Sequence, residues 1–144
     1  MRLFRQDTKV EALARAPIFD ELTKKELTQL ARVTDDVEVA PATVLCREGK
    51  SGSEFFVVMD GEVEILRGGR RVGTGGGGDF FGEIALISDI PRTATVTATT
   101  PVRLFVLSAP AFWGMLEVYP GVERKVLRTL AKRVVENSTD PSLA

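Results

Sequence analysis

Apolar residues near the start of the chain recur at helical spacing. A first helix is predicted over residues 8–16, because Pro17 would end it. A second helix should begin at Thr23, since Thr23 and Glu26 have the spacing of a capping box. We expect both helices to pack their apolar sides onto the rest of the domain.

From residue 37 onward the pattern changes to short β-rich runs separated by glycine-containing turns. The pair Asp60-Gly61 is a strong hairpin signal, because glycine readily adopts a positive φ. The predicted strands cover residues 37–39, 43–46, 55–59, 62–67, 70–73, 93–98 and 102–107. Short strands at this spacing predict a sandwich or a barrel.

Helical spacing returns after the last strand. Ser108 can cap a helix over residues 109–118, and a final helix is predicted over residues 120–136 because its apolar residues form one stripe. Residues 137–144 are expected to be a flexible tail, so the single domain is assigned to residues 1–136.

The composition excludes several functional classes. The chain has 144 residues, a formal net charge of -1, no histidine and one cysteine, Cys46. Without histidine there is no Ser-His-Asp triad and no histidine metal site, so we expect no enzymatic activity, no metal and no resident cofactor. The charge favours neither DNA nor an anionic membrane as a partner. A lone cysteine, and the lack of a signal peptide or apolar span, predict a cytoplasmic protein.

One stretch, residues 79–96, carries the candidate chemistry. Gly82 precedes a short apolar helix whose unpaired N–H groups would favour an anion. Arg92 follows after a turn, and its planar fork matches two phosphate oxygens. Glu83 would repel a phosphate but could accept a hydrogen bond from a hydroxyl of the same ligand. A ligand with a phosphate and a vicinal hydroxyl is a nucleotide.

The order of these residues resembles the phosphate-binding cassette of the cyclic nucleotide-binding domain family. The matching segments are Phe81-Gly82-Glu83-Ile84-Ala85-Leu86 and, after a short gap, Arg92-Thr93-Ala94-Thr95-Val96. That family includes bacterial catabolite activators, kinase regulatory subunits and nucleotide-gated channels. The resemblance extends more weakly from about Leu13 to Val135. It implies a mainly β fold: an eight-stranded jelly-roll barrel with N-terminal helices and a C-terminal lid helix.

The resemblance also implies roles for individual residues. Arg92 would hold the phosphate, Glu83 the ribose 2′-hydroxyl, and Gly82 and Ala85 would act through their backbone. The expected ligand-binding residues are Gly82, Glu83, Ile84, Ala85, Arg92 and Thr93. The expected pocket wall is Val63, Ile65, Val72, Phe81 and Leu86, with Val57 as a further candidate. The polar residues of the last helix that could reach the base are Arg124, Arg128, Thr129, Lys132 and Arg133. A hydroxyl at the position of Thr93 occurs in family members that bind cGMP and in others that bind cAMP. The identity of the base therefore stays undecided, with cAMP favoured and cGMP possible.

Two alternatives remain at this point. Residues 73–78 contain the letters of a dinucleotide-binding motif, but no acid follows at the required distance, so they predict a flexible turn or a loop that makes room for the nucleotide. The domain itself could be a nucleotide sensor that moves its last helix, or a ligand-free module that dimerises through that helix. The protein partner is not indicated. With only eight residues expected beyond the last helix, a helix-turn-helix domain is not expected, and the chain could be complete or a fragment.

Overall fold

The computed structural model describes Phe4 and residues 6–137. The helices are α1 (Lys9–Arg15), α2 (Lys24–Ala31), α3 (Glu83–Ser88), α4 (Ala109–Val118) and α5 (Pro120–Asn137), with a 3-10 turn at Pro17–Phe19. The strands are β1 (Asp35–Val39), β2 (Val44–Cys46), β3 (Glu54–Asp60), β4 (Val63–Arg67), β5 (Arg70–Gly75), β6 (Phe80–Phe81), β7 (Thr95–Ala98) and β8 (Val102–Ser108).

The eight strands form two four-stranded sheets with the orders β1-β8-β3-β6 and β2-β7-β4-β5. Neighbouring strands are antiparallel in both sheets. The predicted mainly β fold with flanking helices is therefore confirmed. Seven of the strands follow from the sequence pattern, and the eighth is β6, whose two residues pair only with Phe56 and Val57 of β3.

The alternation of side chains along β3 divides the core in two. Phe55, Val57 and Met59 pack with the helices, whereas Phe56 and Val58 face the interior between the two sheets. The helical half of the core also contains buried residues of α1, α2, α4 and α5. No helix within the described residues is long and apolar enough to cross a membrane.

Local signals in the sequence explain the helix starts. Thr23 Oγ1 accepts from the Glu26 amide at 3.2 Å, and the Thr23 amide donates to Glu26 Oε1 at 2.9 Å, which completes the predicted capping box. Ser108 Oγ accepts from the Ala111 amide at 3.3 Å at the start of α4. Helix α5 runs one residue beyond the predicted end, to Asn137, and residues 138–144 of the predicted tail lie outside the described residues.

The glycine run continues strand β5 as far as Gly75 and then forms a tight turn at residues 76–79, packed on the barrel. A Cβ at Gly75 would lie 2.7 Å from the Phe81 ring, and one at Gly77 would lie 2.9 Å from the Met59 carbonyl oxygen. The Asp79 carboxylate closes the turn by accepting from the Gly76 amide at 2.8 Å. These glycines therefore allow close packing, and of the run 73–78 only Gly73 and Thr74 line the cavity described next.

Candidate functional site

A cavity of about 580 Å³ lies between the β4–β5 hairpin, the start of α3, the segment before β7 and the end of α5. Its lining residues are Cys46, Ile65, Arg67, Val72, Gly73, Thr74, Phe81, Gly82, Glu83, Ile84, Ala85, Arg92, Thr93, Ala94, Val96, Arg133, Glu136 and Asn137. The cavity is therefore built from both the predicted cassette and the last helix.

Arg92 is a buried cation at this cavity, only 7% exposed. Its Nη1 donates to the Gly82 carbonyl at 3.1 Å and its Nη2 to the Glu54 carbonyl at 2.8 Å. A Cβ at Gly52 would lie 2.0 Å from Arg92 Nε, so the guanidinium is packed against the chain on that side. Among the described residues Arg92 forms no ion pair, and its positive charge is therefore not neutralised by a carboxylate.

Gly82 is required by the backbone at the start of α3. Its φ is +105°, and a Cβ there would lie 2.6 Å from the Glu54 carbonyl oxygen and 2.8 Å from Arg92 Nη1. The Leu86 amide then donates to the Gly82 carbonyl at 3.3 Å, which closes the first helical turn. A larger residue at this position would displace Arg92 and α3 together.

Glu83 is fully buried, with 0% exposure. Its Oε1 accepts from Arg133 Nη1 of α5 at 2.5 Å, whereas its Oε2 has no hydrogen-bond partner among the described residues. Arg133 also donates from Nη2 to the Phe80 carbonyl at 2.7 Å and lies 5.1 Å from the centre of the Phe81 ring. The cavity thus holds a buried carboxylate oxygen that lacks a donor, an arrangement that is costly unless a ligand supplies one.

The structure brings together most of the residues singled out from the sequence. All six expected ligand-binding residues line the cavity: Gly82, Glu83, Ile84, Ala85, Arg92 and Thr93. Of the expected wall, Ile65, Val72 and Phe81 line it as well.

The other expected wall residues lie elsewhere. Val63 is 1% exposed and packs in the core between the sheets, while Leu86 packs against the helical half of the core. Val57 is also in the helical core, because alternation along β3 turns it away from the sheet interior. Among the polar candidates of α5, the cavity lining includes Arg133 but not Arg124, Arg128, Thr129 or Lys132.

Sequence reasoning missed several lining residues, of which five carry polar groups: Cys46, Arg67, Thr74, Glu136 and Asn137. Burial raises the pKa of the Cys46 thiol to about 11, although the neighbouring Arg92 charge lowers it. Arg67 donates from Nε to the Thr93 carbonyl at 3.2 Å and from Nη2 to Asn137 Oδ1 at 2.6 Å. Cys46 and Arg67 lie on β2 and β4, and such short strands gave no signal of which side faces the cavity. Glu136 and Asn137 lie at the end of α5.

Residues 36–119 match the sequence profile described as the cyclic nucleotide-binding domain. This chain belongs to the cyclic nucleotide-binding domain family. A cAMP-dependent protein kinase regulatory subunit of Hypocrea atroviridis is 33% identical over 129 residues, which cover 90% of this chain and 28% of the relative. This cyclic nucleotide-binding domain therefore spans only about a quarter to a third of the length of relatives such as this one.

Two solved structures share the fold of this cyclic nucleotide-binding domain. The regulatory domain of Toxoplasma gondii protein kinase A with cAMP is 32% identical, with a TM-score of 0.63, and the match covers 74% of this chain and 42% of that one. The regulatory subunit of a cAMP-independent protein kinase A from Trypanosoma brucei is 26% identical, with a TM-score of 0.76, over 83% of this chain and 43% of that one. Membership of the fold is thus compatible with different ligand behaviour.

Proposed function

We propose that this domain binds a 3′,5′-cyclic nucleotide in the cavity, with cAMP preferred over cGMP, and that binding moves α5. One observation carries the proposal. A buried guanidinium, Arg92, and a buried carboxylate, Glu83, line the same cavity without pairing with each other. Glu83 pairs with Arg133 through Oε1, but Arg92 has no counter-charge and Glu83 Oε2 has no donor among the described residues. These two groups fit a ligand that bears an anion at one end and a hydroxyl at the other.

The phosphate position is supported by the surroundings of Arg92. Two of its five N–H donors are used by the Gly82 and Glu54 carbonyls, which fixes the guanidinium and leaves donors for an anion. The small residues Gly82 and Ala85 allow a ligand to approach the backbone of α3 closely. A cyclic phosphodiester carries one negative charge, which would neutralise Arg92.

The sugar position is supported by Glu83. A ribose 2′-hydroxyl would donate to Oε2, the oxygen that has no partner within the described residues. A hydrogen bond between a hydroxyl and a buried carboxylate contributes about 1.5–3 kcal/mol. The apolar residues Ile65, Val72 and Phe81 then remain to cover the base.

The proposed movement of α5 is supported by Arg133. This one side chain joins α5 to Glu83 and to the backbone at Phe80. A hydroxyl donating to Glu83 Oε2 would draw electron density from the carboxylate and weaken its interaction with Arg133, and so would shift the balance between two positions of α5. Further along the helix, Arg67 joins the cavity wall to Asn137.

A second candidate function is a ligand-free module that dimerises through α5. The observation that favours it is an apolar stripe on α5, where Leu127, Val134 and Val135 are 45%, 40% and 52% exposed. The relative described as cAMP-independent also belongs to this fold. In that case Arg92 would remain buried without a counter-charge, which is the less favourable arrangement.

Calorimetric titration with cAMP, cGMP and 2′-deoxy-cAMP, followed by measurement of the oligomeric state with and without cAMP, tests the proposal. We expect cAMP to bind more tightly than cGMP, and 2′-deoxy-cAMP to bind more weakly than cAMP by about 1.5–3 kcal/mol, because Oε2 loses its donor. The absence of binding by either natural nucleotide, together with a stable dimer, would establish the second candidate instead.

A further inference from the structure

Three arginines line the cavity, and Arg67 is the one that is used neither for the proposed phosphate position nor by Glu83. It is the last residue of β4, half-buried, and it lies on the lining together with Thr93 and Asn137. The inference drawn from it rests on the proposed function, because it concerns the part of the cavity that remains for the base.

The contacts of Arg67 fix its guanidinium at the open end of the cavity. Nε donates to the Thr93 carbonyl at 3.2 Å, which ties it to the residue that follows Arg92. Nη2 donates to Asn137 Oδ1 at 2.6 Å at the end of α5. A guanidinium has five N–H donors, so three remain after these two bonds. Arg67 is therefore a positioned donor rather than a loose surface charge.

The location of the base follows from the burial of the other lining residues. Arg92 and Glu83 are buried at one side of the cavity, whereas Val72, Glu136 and Asn137 on the lining are exposed. A nucleotide whose phosphate meets Arg92 and whose ribose meets Glu83 would direct its base to this exposed side. Arg67 is the cation that stands there.

The donor and acceptor pattern of the two purines decides which base Arg67 favours. Guanine presents two adjacent acceptors, O6 and N7, which match the fork of an arginine, whereas adenine presents the N7 acceptor beside the N6 donor. Glu136 also lines this side, and its carboxylate could accept from the N1–H and N2–H2 groups of guanine, an edge distinct from the O6 and N7 acceptors that match an arginine. We infer that Arg67 contacts the base and is the residue that lets the cavity accept guanine.

The test compares binding of cAMP, cGMP and 7-deaza-cGMP to the unaltered protein and to Arg67→Ala. We expect the substitution to weaken cGMP binding by roughly five- to 150-fold, the range of a lost bidentate contact, and to change cAMP binding little. Replacement of N7 by carbon in 7-deaza-cGMP should weaken binding to the unaltered protein but add little in Arg67→Ala, because the same contact is already lost. Arg67→Lys should resemble Arg67→Ala for cGMP, since lysine lacks the fork.

Arg71→Ala is the matched control. Arg71 is exposed on β5 of the same hairpin, pairs with Leu66 in the strand register, and lies outside the cavity lining. This variant removes the same charge and should leave the ratio of cAMP to cGMP affinity unchanged. Equal losses for both nucleotides in Arg67→Ala would mean that Arg67 only supports Asn137 and α5, and would overturn the inference while leaving the proposed function intact. If the unaltered protein binds no nucleotide, the proposed function fails and this inference fails with it.

Discussion

Arg92 and Arg103 are both buried arginines of the same domain, and their surroundings differ. Arg103 is 4% exposed and Arg92 is 7% exposed, so both have lost most of their contact with water. Arg103 lies among carboxylates, whereas Arg92 meets only backbone carbonyls among the described residues. Burial alone therefore does not show the role of an arginine. The presence or absence of a neighbouring carboxylate is what distinguishes these two.

Arg103 has the surroundings of a structural ion pair. Its Nε and Nη2 donate to the two oxygens of Asp36 at 3.1 and 2.8 Å, and its Nη1 donates to Asp7 Oδ1 at 2.6 Å. The hydrogen bonds to Asp36 raise the pKa of Arg103 above its already high ordinary value. Asp7 also pairs with Arg15 of α1, so the network joins the first helix to β1 and β8.

Arg92, by contrast, has the surroundings of a binding residue. Burying a charge without a counter-charge is unfavourable, and a folded protein retains such an arrangement where a ligand provides the missing charge. The comparison thus indicates a stabilising role for Arg103 and supports the proposal that Arg92 binds the ligand. Three experiments test this division.

The largest expected effect is on nucleotide affinity in Arg92→Ala. We expect cAMP binding to weaken by about 2–5 kcal/mol, because the variant removes the protein's partner in the buried charge pair that Arg92 would form with the ligand phosphate. Arg92→Lys should also bind more weakly, since the fork is lost. The free energy of unfolding without ligand should fall less than in Arg103→Ala, because Arg92→Ala loses two hydrogen bonds to backbone carbonyls but breaks no ion pair among the described residues. Calorimetry and urea unfolding measure both quantities, and affinity that is unchanged in both variants would refute the role of Arg92.

A smaller effect is expected on stability in Arg103→Ala. Removal of the guanidinium leaves Asp7 and Asp36, whose side chains are 12% and 30% exposed, without it. We expect the free energy of unfolding to fall by about 3 kcal/mol, the low end of the range for a broken buried ion pair, because both carboxylates keep some contact with water. The folded fraction should bind cAMP as the unaltered protein does. If Arg103→Ala instead lowers affinity without lowering stability, the division between the two arginines is wrong.

The smallest expected effect is the pH dependence of stability that Asp7 causes. Burial raises its pKa, but hydrogen bonds from Arg15 and Arg103 outweigh this and hold the pKa below the ordinary value of 3.8. A carboxylate with a lowered folded pKa stabilises the fold above its unfolded pKa, and this contribution is lost as the pH falls through the folded pKa. Urea unfolding of the unaltered protein and Asp7→Asn should therefore differ at pH 7 and converge below about pH 4. A difference that persists into strong acid would show that the charge of Asp7 is not responsible.

Much of the fold could be predicted because its signals are local. The capping box at Thr23, the cap at Ser108 and the hairpin glycine at Gly61, with φ of +96°, each depend on a few neighbouring residues. Strand β6 gave no such signal, because only Phe80 and Phe81 form it and their pairing with β3 is a long-range contact. Its existence was implied by the resemblance alone.

The site residues within the cassette could be predicted from the sequence, whereas those that other strands contribute could not. Residues 81–93 are close in sequence, so their order already placed Gly82, Glu83 and Arg92 together. Arg67 and Cys46 reach the same cavity from separate strands, and only the strand register decides which side chains point inward. Arg103 had a detectable signal, a single charge within the otherwise apolar run 102–107, but its partners Asp7 and Asp36 are distant in sequence.

The contact between Glu83 and Arg133 has a mechanical consequence. The acid that would hold the sugar is also an anchor of the last helix, so the two attachments are linked thermodynamically. If the bound nucleotide favours detachment of α5 by some factor, then detachment of α5 by an applied force must raise the nucleotide's affinity by that same factor. A force applied to the last helix of such a domain would therefore be measurable as a change in its nucleotide affinity.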